Sequence, residues 1–395
     1  MKAAIIGASS ESIHTIKKAQ ELGVEIVALD GNPQAEGLAL ADKGLCVDIS
    51  DEEATIEALK KEKPDFVLTV PIGRYLTTIG AVNDALKLKG ISKKAAVLCT
   101  DKYEFHKIMH KNGLRSCECF LIQPYIDKSS FKEYDTIHYP AILKPRFGSG
   151  SRAIYFIGDK CELQNALQEI EKDKEDFVLE EVAPGQEYGV DGAVIDGRFH
   201  LILLRQKINT PLPRCQAVGY FSINPEQESA LYEKVKCYLE KTVSVLGLNN
   251  CLFHADLMIE KEQIFTIELS ARPSGHYLHN LFTPLATGVD EAEEYIKYVC
   301  NKPYDFDAKE VKNLLIHFWD LPEGMVKKVP GKEEVFISKN VQLLDYQCNI
   351  CVGDKMEEVT SGHSIMGRGY FILQGSTKEE MLLAAENIKK ELLIL

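Results

Sequence analysis

The stretch HADLMIEKEQIFTIELSAR, residues 254–272, alternates apolar and polar residues on either side of a charged tip, which is the pattern of a β-hairpin. A tip at Glu260 to Ile264 sets Asp256 opposite Glu268 on one face, with His254 opposite Ser270 beside them. Like charges directly opposite on a sheet repel. Such a pair persists with one acid protonated or with a cation between the two, and all-oxygen ligation suits Mg2+ better than zinc. A surface hairpin whose acids simply face water is the competing reading, and the remainder of the chain has to discriminate.

The chain has 395 residues, more than one hydrophobic core usually supports, so two or three domains are expected. Hydrophobic residues make up 45% and charged residues 27%, an ordinary globular balance. The formal net charge of -13 argues against a general nucleic-acid binder, which needs basic faces to displace counterions from phosphates. MKAAIIGASS enters a strand pattern without the charged, apolar and small-residue regions of a signal peptide. No window approaches the roughly 20 apolar residues that cross a bilayer. A cytoplasmic protein is expected, with its eleven cysteines reduced.

From the first residue, short apolar runs alternate with helical patterns: KAAIIG, ESIHTIKKAQELG, VEIVALD, DEEATIEALKKEK and DFVLTV. This βαβαβ order predicts an α/β, Rossmann-like N-terminal domain over 1–98, with ligands near the carboxyl ends of its strands. Gly7 and Asp30 invite a dinucleotide reading, but Ala8, Ser9 and Ser10 leave the glycine fingerprint incomplete. A helix is expected from Thr100-Asp101 to Asn112-Gly113. Strands then prevail in an α+β region over 99–300, with a lid subdomain expected at about 117–183. The last stretch, 301–395, reads as a small α+β domain with strands at EVFI and YFILQG and a closing amphipathic helix.

LKPRFGSGSR, residues 143–152, joins a lysine at a strand end to a glycine- and serine-rich turn. Gly148 and Gly150 let backbone NH groups converge on an anion, Ser149 and Ser151 add hydroxyls, and Lys144 and Arg152 supply charge. It is not a Walker loop, because the glycines follow the lysine and lead into a strand. An ordinary hairpin turn with basic edges is the bland alternative. Thirty residues on, FVLEEVAPGQEYGVD ends a buried strand at Glu180-Glu181 before a Pro184-Gly185 turn and Glu187, acids able to accept hydrogens from a base or a ribose.

In this order, DK at 101–102, LKP with its loop at 143–152, LEEVAPGQEYGVD at 179–191, HADLMI at 254–259 and IELSARPSG at 267–275, the chain resembles the ATP-grasp superfamily. The resemblance implies ATP held between two α+β subdomains behind the N-terminal domain. Lys102 and Lys144 would contact phosphates under the loop of Gly148, Ser149, Gly150 and Ser151. Glu180 would receive the adenine amino group, main-chain atoms of Glu181 and Ala183 would complete the base contacts, and Glu187 would hold the ribose. Asp256 and Glu268 would carry Mg2+, with Arg272 stabilising the transferred phosphoryl group. The family commonly places Asn two residues after the second acid. Ser270 stands there instead, which puts a fully held second metal in doubt. The implied activity is carboxylate-amine ligation through an acyl phosphate, releasing ADP and phosphate.

Arg205, Lys207 and Arg214 are read as clamps for a substrate carboxylate, with a solvated strand edge as the alternative. Pro273 to Gly275 should turn at the metal site and present Ser274 or His276 to the reacting group. Cys348-Asn349-Ile350-Cys351 lacks a second ligand pair and reads as structural, and Trp319 as a packing anchor. Small-molecule acids and amines are the expected partners, with a homodimer as the commonest assembly. A phosphoribosyl ligase or a biotin-carboxylase-like enzyme would keep the fold. A nucleotide sensor without turnover, or a Rossmann oxidoreductase, would change the class.

Overall fold

The computed structural model describes residues 1–123, 134, 136–148, 153–172, 174–211, 215–335, 340–359 and 362–394. The N-terminal apolar runs form a parallel sheet in the order Lys43–Cys46, Glu25–Asp30, Lys2–Ile6, Phe66–Leu68. Three of these strands are the predicted ones. The fourth, Lys43–Cys46, pairs with Glu25–Asp30 at the exposed edge, where KGLC has no apolar run to announce it. The helices Ile13–Glu21, Glu36–Leu40 and Glu52–Glu62 connect the strands, and Leu76–Leu86 follows the last of them. Asp30 does not await a ribose: its carboxylate accepts the amides of Ala8, at 2.7 Å, and Asn32, at 2.8 Å, tying the first two strand ends together.

The central sheet is antiparallel and eight strands wide, running Gln263–Ser270, Cys251–Glu260, Gln186–Ile195, Arg198–Asn209, Ala217–Ser222, Leu314–Phe318, Gly369–Gly375 and Val341–Cys348. It crosses residue 301 without a break, so the C-terminal segment adds three strands to it. Helix Lys378–Glu391 packs Met381, Ala384, Ala385 and Ile388 around Trp319 and Phe371. Trp319 is fully buried and donates its indole NH to the Gln347 carbonyl, the anchoring role its sequence context suggested. Of the strand predicted at EVFI, Glu334 lies in a short 3-10 turn, Lys332–Glu334, and Phe336 and Ile337 lie outside the described residues. The core under the N-terminal sheet is continuous with the central one, since Ala4, Ile6 and Val67 share a cluster with Val190, Phe253 and Leu269.

A smaller antiparallel sheet, Cys119–Ile122, Phe177–Glu181, Ala141–Pro145 and Tyr155–Ile157, is backed by helix Lys160–Ile170. Leu163, Ala166, Leu167 and Ile170 make the helix stripe that covers it, at the 3,4 spacing of one apolar face. The predicted helix at 100–113 runs over Lys102–Lys111, capped by Asp101, whose side chain accepts the amides of Tyr103 and Glu104. Of the predicted phosphate and substrate residues, Ser149, Gly150, Ser151, Arg152 and Arg214 lie outside the described residues.

Candidate functional site

The hairpin has the predicted pairing, Asp256 opposite Glu268 and His254 opposite Ser270, although its turn is different. Glu260 pairs with Gln263 across a two-residue turn with Lys261 left-handed, and a bulge between Asp256 and Leu257 inserts Ile267. The shorter turn and the extra residue offset one another, which restores the register at the acids. Nitrogen or oxygen atoms of His254, Asp256 and Glu268 lie within 4.8 Å of one another. Asp256 Oδ1 is buried without a hydrogen-bond partner. An orphaned carboxylate oxygen beside a second carboxylate is a donor set that fits a hard divalent cation.

Lys207 does not stand free to clamp a substrate. Its ammonium lies 2.7 Å from Asp256 Oδ2 and 2.7 Å from Glu187 Oε1, and Asn209 donates to the other Glu187 oxygen at 2.5 Å. Burial pushes the lysine down, but Asp256 and Glu187 outweigh it and hold the ammonium well above its ordinary range. The same bond helps hold the Asp256 carboxyl low against the effect of burial. Glu187, assigned to a ribose by the resemblance, here spends both oxygens on Lys207 and Asn209.

Arg205 clamps a carboxylate, but it is an internal one. It is fully buried, bonds Asp191 through both terminal nitrogens, and lies over the Tyr220 ring at 5.6 Å. Thr283 donates to the same Asp191 at 2.7 Å, and His254 approaches Arg205 at 3.4 Å. The expectation that Arg205 faces substrate is therefore corrected: a strand position pointing into the sheet core cannot leave a guanidinium unpaired, and Asp191 on the neighbouring strand satisfies it.

On the opposite wall, the smaller sheet that the sequence reads as a lid, Lys144 and Glu180 lie diagonally on adjacent strands, opposite Val178 and Ile142, and are in direct contact. Glu180 is buried, with Arg115 Nη2 at 3.1 Å and His106 Nε2 at 2.6 Å from its second oxygen. Burial pushes this carboxyl up, and Lys144, His106 and Arg115 together hold it well below the carboxylate range. Its side chain is thus the counterion of a basic cluster, rather than a free acceptor for adenine. Glu181 accepts the backbone amides of Glu118 and His138, each at 3.1 Å, and Ala183 is buried beside Cys117 and Phe265. Lys102 donates to the Gly148 carbonyl at 2.8 Å, and Arg146 locks the helix cap to the lid with two bonds to Asp101, at 2.9 and 2.6 Å. His106, Arg115, Arg146 and Asn209 were not visible in sequence, since each lies at least 20 residues from the acid it meets and shares no local pattern with it. The Asp101 cap was the one available signal.

After the hairpin, Arg272 donates to the Pro273 carbonyl at 2.8 Å, and Ser274 is 1% exposed, with no hydrogen-bond partner for its hydroxyl. His276 and Tyr277 both adopt left-handed backbone, with φ of 62° and 59°. Consecutive non-glycine residues there are strained, and strain of this kind marks segments held in place for function. The His276 amide approaches Glu11 of the N-terminal domain at 3.4 Å. His279 is fully buried, and burial pushes it down to about 4, so it is a neutral imidazole inside the fold. Cys348 and Cys351 are free thiols, and neither belongs to a metal-ligating group among the described residues.

Lys102, Lys144, Gly148, Glu187, Lys207, Asp256 and Glu268 line one cleft of about 770 Å³ between the lid and the central sheet. Arg272 and Ser270 join Lys102, Gly148 and Glu268 around an adjoining narrow pocket. Residues 137–279 match the family model described as the ATP-grasp domain. The chain is 23% identical to a formate-dependent phosphoribosylglycinamide formyltransferase of Nitratiruptor sp., over 69% of this chain and 70% of the relative. It is 23% identical to dapdiamide A synthase of Enterobacter agglomerans, over 84% and 82%. Its fold is similar to that of L-amino acid ligase from Bacillus licheniformis, with a TM-score of 0.76 and 20% identity over 100% and 98% of the two chains. It also resembles phosphoribosylglycinamide synthetase from Anaerococcus prevotii, with a TM-score of 0.73 and 19% identity over 100% and 99%.

Proposed function

We propose, for a chain that carries an ATP-grasp domain of the carboxylate-amine ligase type, that the cleft residues divide between phosphate and metal. The enzyme is an ATP-dependent ligase that joins a carboxylate to an amine through an acyl phosphate, releasing ADP and phosphate. The observation that carries the assignment is the opposition of charge across one cleft: Lys102 and Lys144 on the lid side, Asp256 and Glu268 on the sheet.

ATP and a carboxylate repel one another, so the protein's task is largely electrostatic. Lys102 and Lys144 bind phosphate oxygens, and Gly148, Ser149, Gly150 and Ser151 are assigned to the same phosphates. Asp256 and Glu268 would hold Mg2+, which supplies charge neutralisation and alignment of the transferred phosphoryl group when bound. Lys207 offsets part of the negative charge of Asp256 and Glu187 and so lessens the repulsion between the sheet wall and the nucleotide. Arg272, next to Glu268 on the hairpin exit, stabilises negative charge developing on the phosphoryl group. Ser274 and His276 orient the reacting groups from the strained loop. Glu181 and Ala183 meet the base through main-chain atoms. An acyl phosphate hydrolyses readily, so the cleft has to exclude water until the amine attacks.

The same proposal places the enzyme in the cytoplasm, acting on small molecules and not nucleic acid, and as a homodimer. Its net charge of -13 supports the second point, and no described helix is long and apolar enough to cross a membrane. The test is an assay of the purified protein with ATP, Mg2+ and a grid of carboxylates and amines, with ADP, AMP and phosphate followed separately. Substrate-dependent ADP and phosphate are expected. AMP with pyrophosphate would rule out the acyl phosphate, and ATP binding without turnover on any pair would rule out the ligase.

A further inference from the structure

The N-terminal sheet changes direction of growth between Lys2–Ile6 and Phe66–Leu68: Glu25–Asp30 lies on one side of the first strand and Phe66–Leu68 on the other. In open parallel sheets this switch point leaves a crevice at the carboxyl ends of the two strands, where ligands bind. Here the two strand-end loops touch. Gly7 has a φ of 94°, and a Cβ on it would come 2.7 Å from the Ile72 side chain. The second loop continues as Gly73-Arg74-Tyr75 into helix Leu76–Leu86. Its backbone is anchored: Leu76 NH donates to Gly73 O at 3.2 Å, and the Thr77 amide and hydroxyl both donate to Arg74 O, at 3.3 and 3.1 Å.

Arg74 is the cation this loop presents. It lines both the main cleft with Lys144 and Asp256 and the adjoining pocket with Arg272 and Ser270. The other cations of these walls are engaged: Lys144 with Glu180, Lys207 with Asp256 and Glu187, Lys102 with Gly148 O, and Arg272 with Pro273 O. Among the described residues Arg74 has no carboxylate or carbonyl partner. Its guanidinium rests on the Tyr75 ring, 5.3 Å from the centroid, and exerts only a weak pull on Asp48. Stacking of this kind restrains a guanidinium and leaves its NH donors available, and their planar fork matches carboxylate or phosphate oxygens.

We propose that Arg74 is a specificity-determining residue that binds an anionic group of the acid or amine substrate, a carboxylate or phosphate that takes no part in bond formation. This rests on the ligase reading above. It narrows the substrate class to pairs in which one member carries such a second anion, delivered at the switch point with its reacting group toward Glu268 and Arg272.

The test uses the full chain with ATP and Mg2+, following ADP release on matched probes. Succinate is set against butyrate as the acid, and glycine against glycinamide and phosphoethanolamine against ethanolamine as the amine. The anionic member of at least one pair should be preferred. R74A should raise its KM about tenfold or more, while the KM for ATP stays within about twofold and neutral analogues are unaffected; R74K, which keeps charge without the fork, should fall between. Glycine against phosphoethanolamine separates carboxylate from phosphate recognition. A rise in the KM for ATP would assign Arg74 to the nucleotide and overturn the inference. A preferred neutral pair that is insensitive to R74A would also overturn it while leaving the ligase reading intact. No release by the wild-type protein on any pair would bring down both. Because Arg74 is exposed, loss of folding is not expected to obscure the result.

Discussion

The two walls of the cleft are built on the same plan with the charges exchanged. On the lid, one glutamate, Glu180, is surrounded by Lys144, Arg115 and His106. On the central sheet, one lysine, Lys207, lies between Glu187 and Asp256, with Glu268 paired across the hairpin. His106 is neutral, because burial pushes it down to about 4, so Lys144 and Arg115 exceed Glu180 by one positive charge. The sheet wall has an excess of acid. Each minority charge allows the majority to be buried together, and the surplus faces the cleft. A triphosphate suits one wall and a divalent cation the other.

If that contrast is right, removing an acid should have opposite consequences on the two walls. The largest effect on stability is expected from Glu180→Gln, which leaves two buried cations without their counterion. A loss of about 3–5 kcal/mol should appear in denaturant unfolding. Glu268→Gln relieves repulsion between paired acids and should leave the unfolding midpoint unchanged or slightly raised. It should lower substrate-dependent ADP release by about a hundredfold or more, with a weaker dependence on Mg2+. Were Glu268→Gln the destabilising change and Glu180→Gln the silent one, the assignment of the walls would be reversed.

Acid titration sharpens the comparison further. Burial holds both His106 and His279 down to about 4, against roughly 6.5 for an exposed imidazole. The unfolded chain therefore takes up these protons first. Their contribution is full above about pH 6.5 and is lost as the pH falls through about 4, to the extent of about 3 kcal/mol each. His106→Gln should flatten the stability profile in that window through the lid, and His279→Gln through the loop behind the hairpin. Unfolding free energies measured from pH 7 to 4 would show whether both sites titrate with the fold. The smallest effect is expected at the junction of lid and helix. Arg146→Lys keeps charge near Asp101 but loses the two-pronged contact, and because the pair is partly exposed it should cost no more than about 1 kcal/mol.

Periodicity and register by themselves determined the βαβ start, the Asp101 helix cap, the strands that end at Lys144 and at Glu180-Glu181, the strand at YFILQG and the pairing of Asp256 with Glu268, but not the central strands Ala217–Ser222, Leu314–Phe318 and Val341–Cys348. The former depend on neighbours in sequence or on a two-residue repeat that the chain writes out directly. The tip of the hairpin was placed wrongly, and the acids still met because the bulge at Ile267 compensates, a detail set by packing rather than by pattern. The exposed strand Lys43–Cys46 and the continuation of the central sheet past residue 301 depended on partners far along the chain. Side-chain roles were less legible still. Arg205, Lys207, Glu180 and Glu187 were all found as charged residues near the site, but charge alone does not say whether a side chain faces the cleft or a counterion. Tertiary structure decided that, because the cost of burying an unpaired charge selects its partner from any element within reach, and sequence spacing carries no record of that reach.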